Sequence, residues 1–208
     1  MPRRSKPGHR LPRRIALTPE HEFILGGQKS GKSRRAEQRA ADWLAAAPKQ
    51  RRAVLIATAQ AYDDEMRERI VRHQADRAER VPSLRTIEEP VELARAIVTQ
   101  SAPESLVLVD CLTMWLTNLL MPLRGEGARP VSRTPTAHIN LLLGALRDAR
   151  GPVVLVGNEI GLGVIPLGRE TRAFVDALGR LNQDVAGVCH RVTLMAAGLP
   201  LTLKEPGR

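Results

Sequence analysis

The sequence predicts a doubly wound α/β domain, with a mostly parallel sheet and helices on both faces. Two observations lead there. Short apolar runs alternate with helix-length amphipathic stretches along most of the chain. Several of those runs end in glycine or an acidic residue, at the strand edge where sheets of this kind bind ligands. Length and composition permit the fold: 208 residues suit one core, and 43% are hydrophobic. The chain holds only two Phe, two Trp and one Tyr, so Val, Leu, Ile and Ala must fill the interior.

The first expected strand is Phe23-Ile24-Leu25, running into a glycine-rich loop and then a helix to about Ala47. The second is Ala53 to Ala57, followed by the loop Thr58-Ala59-Gln60-Ala61 and a charged helix from Asp63 to about Ala78. Arg85-Thr86-Ile87 reads as a short third strand, with Glu88 and Glu89 after it and a helix from Pro90 to Thr99. Leu106 to Asp110 is a buried strand ending in an acid, and Cys111 to Leu120 starts a helix with one apolar face. Arg124 to Pro135 is polar and rich in Gly and Pro, which predicts a loop. A helix from Thr136 to Arg150 leads to the strand Val153 to Gly157. The glycine-rich loop Asn158 to Gly168 and a helix from Glu170 to Val188 follow. Arg191 to Ala196 is the last parallel strand, and Leu199 to Lys204 can return as a hairpin partner.

Net charge is +10, but Arg3, Arg4, Lys6, Arg10, Arg13 and Arg14 precede a single acid, Glu20, so half of it sits in the first twenty residues. That Pro- and Arg-rich stretch reads as a disordered tail, residues 1–20, ahead of one catalytic domain, residues 21–208. Charge concentrated in a tail, with few aromatics for base stacking, argues against a nucleic-acid partner. Two cysteines, Cys111 and Cys189, suit reduced thiols in a cytoplasmic protein. No run reaches the roughly 18 apolar residues of a membrane span.

Gly26-Gly27-Gln28-Lys29-Ser30-Gly31-Lys32-Ser33 fits G-x-x-x-x-G-K-S between a strand and a helix, which makes the expected fold a P-loop, RecA-like one. Glycines let backbone N–H groups converge on phosphate oxygens, and the following helix aims its positive end at them. Lys32 would neutralise β/γ charge, and the Ser33 hydroxyl would ligate Mg²⁺. Lys29 and Arg34 beside it read as solvated charges. Asp110 is the expected second Mg²⁺ or nucleotide contact; the competing reading is an N-cap for the helix after it. On the charged helix, Glu65, Arg69 and His73 share one face, with Arg77 one step on. Spacing alone leaves two readings open: a salt-bridged solvent face, or a phosphate-gripping face whose imidazole is a nucleophile at phosphorus. His9, His21, His138 and His190 carry no such context.

Several separated stretches together resemble one family, from Phe23 to Lys204. They are GGQKSGKSRRAE (26–37), IATAQAYDDEMRERIVRHQADR (56–77), LRTIEEP (84–90), DCLTMWLTNLL (110–120), VGNEIGLGVIP (156–166) and RLNQ (180–183). The combination of D-D-E-M-x-x-R-I-x-x-H-x-x-x-R with N-E-x-G-x-G-x-x-P is the specific part. The chain resembles the bifunctional adenosylcobinamide kinase/adenosylcobinamide-phosphate guanylyltransferases of cobalamin biosynthesis. The resemblance implies phosphorylation of adenosylcobinamide with ATP or GTP. It also implies transfer of GMP from GTP to adenosylcobinamide phosphate through a GMP-histidine, which matches His73. It implies nucleotide contacts at Gly26 to Ser33, at Thr58, Ala59 and Gln60, at Gln74, Ala75, Asp76 and Arg77, and at Glu88 and Asp110. It also implies a homotrimer. Departures from the family pattern are Leu84 for a Trp, Asp110 for a Glu, Arg72 in place of a second histidine, and Leu167-Gly168 for polar residues. The rival readings are a P-loop small-molecule kinase without nucleotidyl transfer and a nucleic-acid-binding P-loop ATPase.

Overall fold

The structure, a computed structural model, describes residues 20–122 and 131–207. The expected basic tail lies outside the described residues except for Glu20, as do residues 124–130 of the expected polar loop. Seven strands and six helices follow in order: β1 Glu22–Gly26, α1 Lys32–Ala46, β2 Arg52–Ala57, α2 Asp64–Arg80, β3 Arg85–Glu88, α3 Leu93–Gln100, β4 Ser105–Asp110, α4 Leu112–Leu120, α5 Pro135–Asp148, β5 Val153–Val156, α6 Arg169–Val188, β6 Arg191–Ala196 and β7 Leu199–Lys204. They form one sheet in the order β3-β2-β4-β5-β1-β6-β7, parallel except for the β6–β7 hairpin. One strand, β5, therefore separates the glycine-loop strand β1 from the Asp110 strand β4.

Strand alternation builds two cores. Phe23 and Leu25 of β1, Val107 and Val109 of β4, and Val153 and Leu155 of β5 face one layer. Ile24, Leu106, Leu108, Val154 and Val156, one residue out of phase, face the other. Because both faces are apolar, both need cover, which is why these strands read as continuous hydrophobic runs. The first layer is filled by α3 to α6, through residues such as Ile97, Trp115, Leu116, Leu142, Leu146, Leu178 and Leu181. The second is covered mainly by α1, whose Ala36 and Ala40 allow the helix to lie close to the sheet, and by Val81 and Leu84.

Helix α2 belongs to neither core. Arg77 is its one buried residue. The helix starts as the acidic run predicts: the Asp63 carboxylate accepts from the Met66 N–H at 2.7 Å, and Asp64 and Glu65 occupy the first turn. Helix α5 is capped in the same way, with Thr134 Oγ1 accepting from the Ala137 N–H at 3.3 Å and Pro135 entering the first turn. Cys111, expected as the opening residue of a helix, is instead the residue just ahead of α4.

Candidate nucleotide and phosphoryl-transfer site

The C-terminal ends of β1, β2, β3 and β4 carry the glycine loop, Thr58 to Gln60, Glu88 and Asp110, while His73 to Arg77 lie on α2. At the end of β1, Gly26 adopts φ 153° and Gly31 φ 99°, so the loop curls back over the start of α1. Gly26 is also where space runs out: a Cβ there would lie 2.4 Å from the Met195 carbonyl oxygen and 2.6 Å from Ser30 Oγ. Within the loop, Lys32 Nζ donates to the Gly27 carbonyl at 2.5 Å. Ser30 Oγ is buried with no hydrogen-bond partner among the described residues. A buried ammonium and an unsatisfied hydroxyl in a glycine-bent loop at a helix N-terminus fit a phosphate chain.

Burial holds Lys32 below the usual lysine pKa; Cys111 and Asp110 oppose that shift, while Arg69 adds to it. Two long-range placements follow. Asp110, at the end of β4, acts on the loop lysine across β5. Arg69, on α2, is close enough to add its charge at the same lysine. Serine and aspartate oxygens are the hard donors Mg²⁺ takes. Among the described residues no cluster of three or more His, Cys, Asp or Glu side chains could close a cage. That donor set fits an ion held partly through nucleotide phosphates.

Strand pairing brings the next group into line. Ala57 stands opposite Glu88 on one side and Asp110 on the other, so the ends of β3, β2 and β4 are level. Thr58 is fully buried just beyond β2. Its Oγ1 accepts from the Cys111 N–H at 2.9 Å and donates to the Cys111 carbonyl at 2.7 Å, tying the β2 loop to the residue after Asp110. Ala59 and Gln60 are half-buried, and Glu88 is exposed at the same edge.

The histidine helix divides into two parts. His73, Gln74, Ala75 and Asp76 are exposed. Arg77 turns inward, where its Nε lies 4.0 Å from Glu37 of α1 and its Nη1 donates to Thr86 Oγ1 at 3.4 Å. Arg80 Nε lies 3.2 Å from Glu37 as well, and its Nη2 lies 3.3 Å from Asp76. Burial raises the Glu37 pKa, with Arg80 and Arg77 opposing. So the C-terminal part of α2 is fastened to α1 by ionic contacts, and His73 sits one turn before that anchor.

The sequence reading missed the groups that hold these loops. Asn118 is buried in α4; its Nδ2 donates to the Thr58 carbonyl at 2.7 Å and the Pro90 carbonyl at 2.9 Å, and its Oδ1 accepts from the Tyr62 hydroxyl. Thr113 Oγ1 accepts from the Asn158 N–H at 2.9 Å, Asn182 Nδ2 donates to the Asn158 carbonyl at 3.0 Å, and the Glu159 N–H donates to the Gly26 carbonyl at 3.1 Å. The available signal was a polar residue inside an otherwise apolar helix stretch, as at Thr113 and Asn118. A depression of about 540 Å³, lined by Arg51, Arg52, Arg85 and Ser101 among others, opens at the N-terminal ends of β2, β3 and β4, away from this edge.

Comparison with known proteins bears on this arrangement. Residues 22–203 match the cobinamide kinase/cobinamide phosphate guanyltransferase family. The chain is 46% identical over 189 residues to the bifunctional adenosylcobalamin biosynthesis protein CobP of Pseudomonas aeruginosa, covering 89% of this chain and 98% of that protein. It is 34% identical to CobU of Escherichia coli and 36% identical to CobU of Salmonella typhimurium. Each of those alignments covers 88% of this chain and 98% of the relative. Among solved structures, the flagellar accessory protein FlaH from Methanocaldococcus jannaschii superimposes with a TM-score of 0.47 at 9% identity, over 90% of this chain and 79% of that one. That superposition carries no weight for function. With the family matched from β1 into β7 and the glycine loop, the Asp110 strand and the histidine helix all within the match, the chain belongs to the cobinamide kinase/cobinamide phosphate guanyltransferase family, enzymes that join a kinase and a guanylyltransferase activity.

Proposed function

We propose that this protein phosphorylates adenosylcobinamide and then transfers GMP from GTP to the resulting phosphate, with His73 as the covalent carrier of GMP. The observation that carries this reading is the glycine loop with its buried Lys32 at the end of β1, Asp110 at the end of β4 two strands away, and an adjoining helix α2 that leaves His73 exposed.

In the kinase reaction the acceptor hydroxyl oxygen bonds to the γ-phosphorus, the bond from that phosphorus to the β–γ bridging oxygen breaks, and the hydroxyl proton is released to water. Gly26 to Ser33 hold the triphosphate, and Lys32 spreads the charge that develops on the leaving oxygens. Thr58, Ala59, Gln60 and Glu88 border the space beside them. In the guanylyl transfer an imidazole nitrogen of His73 attacks the α-phosphorus of GTP. A P–N bond forms, the bond to the α–β bridging oxygen breaks, and pyrophosphate leaves. The acceptor phosphate oxygen then attacks the same phosphorus, the P–N bond breaks, and the imidazole is restored. Gln74 to Arg77 follow His73 and carry the family's remaining nucleotide contacts, with Arg77 also fastening the helix. Ser33 and Asp110 are the donors that would hold Mg²⁺, which when bound neutralises charge on the phosphate oxygens.

Both reactions are assigned to one catalytic domain, residues 21–208, acting in the cytoplasm, with GTP and ATP as donors and no nucleic-acid partner. No described helix is long and apolar enough to cross a membrane. A homotrimer fits the exposed leucines of the edge strand β7, Leu199, Leu201 and Leu203, which give a second copy apolar surface to cover.

The test measures both products for three proteins. Wild type should form both. His73→Ala should keep most kinase activity and lose guanylyl transfer, and Lys32→Ala should lose both. A His73→Ala protein that still makes the GDP-linked product would refute the carrier role.

A further inference from the structure

The loop between β5 and α6 combines rigid ends with an apolar surface turned to solvent. Leu162, Val164, Ile165 and Leu167 retain 81%, 96%, 76% and 97% of their accessible surface, and Ile160 is exposed as well. Five apolar side chains within eight residues are all presented outward, a concentration of exposed apolar surface that marks an interaction site. The segment is not loose at its ends. At the start, Asn158 is held by Thr113 and Asn182, and the Glu159 N–H donates to the Gly26 carbonyl at 3.1 Å. The Gly161 N–H donates to Glu159 Oε1 at 2.8 Å. At the far end, Arg172 Nη1 donates to the Pro166 carbonyl at 2.9 Å and to the Leu167 carbonyl.

The hydrogen bond to Gly26 places the start of this segment beside the glycine loop. The first residue of the phosphate loop and the first residues of the apolar loop are joined backbone to backbone, at the strand edge that carries Lys32 and Asp110. A ligand resting on the apolar loop is therefore alongside the phosphates. The nucleotide cannot use such a surface for its charged part, but the acceptor can. Resting on the functional reading above, the acceptor is a broad macrocycle with methyl-bearing apolar patches among its amide side chains and a tethered hydroxyl. That shape needs a wide apolar rest with the reacting group extended toward the phosphate loop.

We propose that residues 160–167 are the acceptor platform, with Leu162, Val164, Ile165 and Leu167 packing against the methyl-bearing apolar patches of the corrin ring. Because these side chains are already solvent-exposed, replacing them removes no core contact, so the variants should fold.

The test compares wild type with the triple variant Leu162→Ser, Val164→Ser, Ile165→Ser, using adenosylcobinamide as the probe. Three quantities are measured: KM for adenosylcobinamide in the kinase assay, KM for ATP, and sedimentation. The proposal predicts a KM for adenosylcobinamide raised at least tenfold, with KM for ATP and sedimentation within twofold and unchanged, respectively. An unchanged KM for adenosylcobinamide on an active enzyme overturns the platform alone. A shifted sedimentation coefficient, whatever the KM, overturns it in favour of a contact between copies of the chain. A wild type that does not turn over adenosylcobinamide overturns the functional reading and the platform together.

Discussion

The Asn118 side-chain amide donates to the Thr58 carbonyl at 2.7 Å. The same nitrogen donates to the Pro90 carbonyl, and Oδ1 accepts from Tyr62, so one buried residue of α4 fixes the segments that follow β2 and β3. Replacing it leaves two buried carbonyls without a donor, which costs about 3 kcal/mol. Asn118→Leu should lower the urea midpoint accordingly and weaken nucleotide binding, because Thr58 to Gln60 lose their support. Urea denaturation followed by tryptophan fluorescence checks the first effect, and nucleotide titration the second. Wild-type stability in the variant would remove Asn118 from this role.

Gly26 is the tightest position in the phosphate loop. An alanine there would meet the Met195 carbonyl of β6 at 2.4 Å, on a backbone at φ 153° that side chains rarely adopt. Gly26→Ala should push β1 and β6 apart or open the loop, and in either case nucleotide binding should fall at least tenfold. Gly163→Ala is the control, since nothing lies within 4 Å of a Cβ built there. Calorimetric titration with a non-hydrolysable GTP analogue separates the two.

Most of the fold was legible because each buried strand announces itself twice, by an apolar run and by the turn residues that end it. β6 and β7 fall on the expected residues, and β1 to β5 differ from expectation by one residue at one end or, for β1, at both. The start of α3 was not legible. Pro90 suggested a first helical turn, but Glu89 Oε1 accepts from the N–H groups of Val91 and Glu92, and that turn delays the helix to Leu93. The positions of the glycine loop after β1 and of Asp110 at the end of β4 were legible because a strand and its ending residue are adjacent in sequence. The support by Asn118 and Asn182 was not, since each bonds to carbonyls on distant segments. Spacing placed Arg69, His73 and Arg77 on one side of a helix. It could not show that Arg77 is buried against Glu37, because that partner lies on another helix.

His21 gives the protein an acid limit. It is buried between the starts of β1, β5 and β6: its Nδ1 accepts from the Val153 N–H at 3.1 Å, and its ring meets His190 edge-on at 5.3 Å. Burial, then His190, hold its pKa below the usual histidine value. A histidine with a lowered folded pKa binds its proton better in the unfolded chain. Its contribution is therefore complete above about pH 6.5 and is lost as pH falls below it, at up to roughly 1.4 kcal/mol per pH unit. His138, also lowered by burial, acts in the same direction. Thermal midpoints between pH 7.5 and pH 5 should fall steadily, and His21→Asn should flatten that slope. A slope unchanged in His21→Asn would assign the effect elsewhere.

The two thiols should be inert. Burial, with Asp110 adding, pushes Cys111 up to about 11, and burial pushes Cys189 up to about 12. At pH 8 the thiolate fraction of Cys111 is then on the order of one in a thousand, and only the thiolate reacts. Iodoacetamide at pH 8 should leave both residues unmodified over an hour in the folded protein and modify both in urea. Fast alkylation of the folded protein, read by mass spectrometry, would show that Cys111 is more open to solvent than its surroundings imply.

The most direct test of the central claim is to incubate the purified protein with Mg²⁺ and GTP labelled at the α-phosphate, in the absence of acceptor, and to map the labelled peptide. One acid-labile, base-stable GMP adduct is expected, on His73, formed as pyrophosphate is released and absent from His73→Ala. Label on another residue, or an equal adduct on His73→Ala, would contradict that claim.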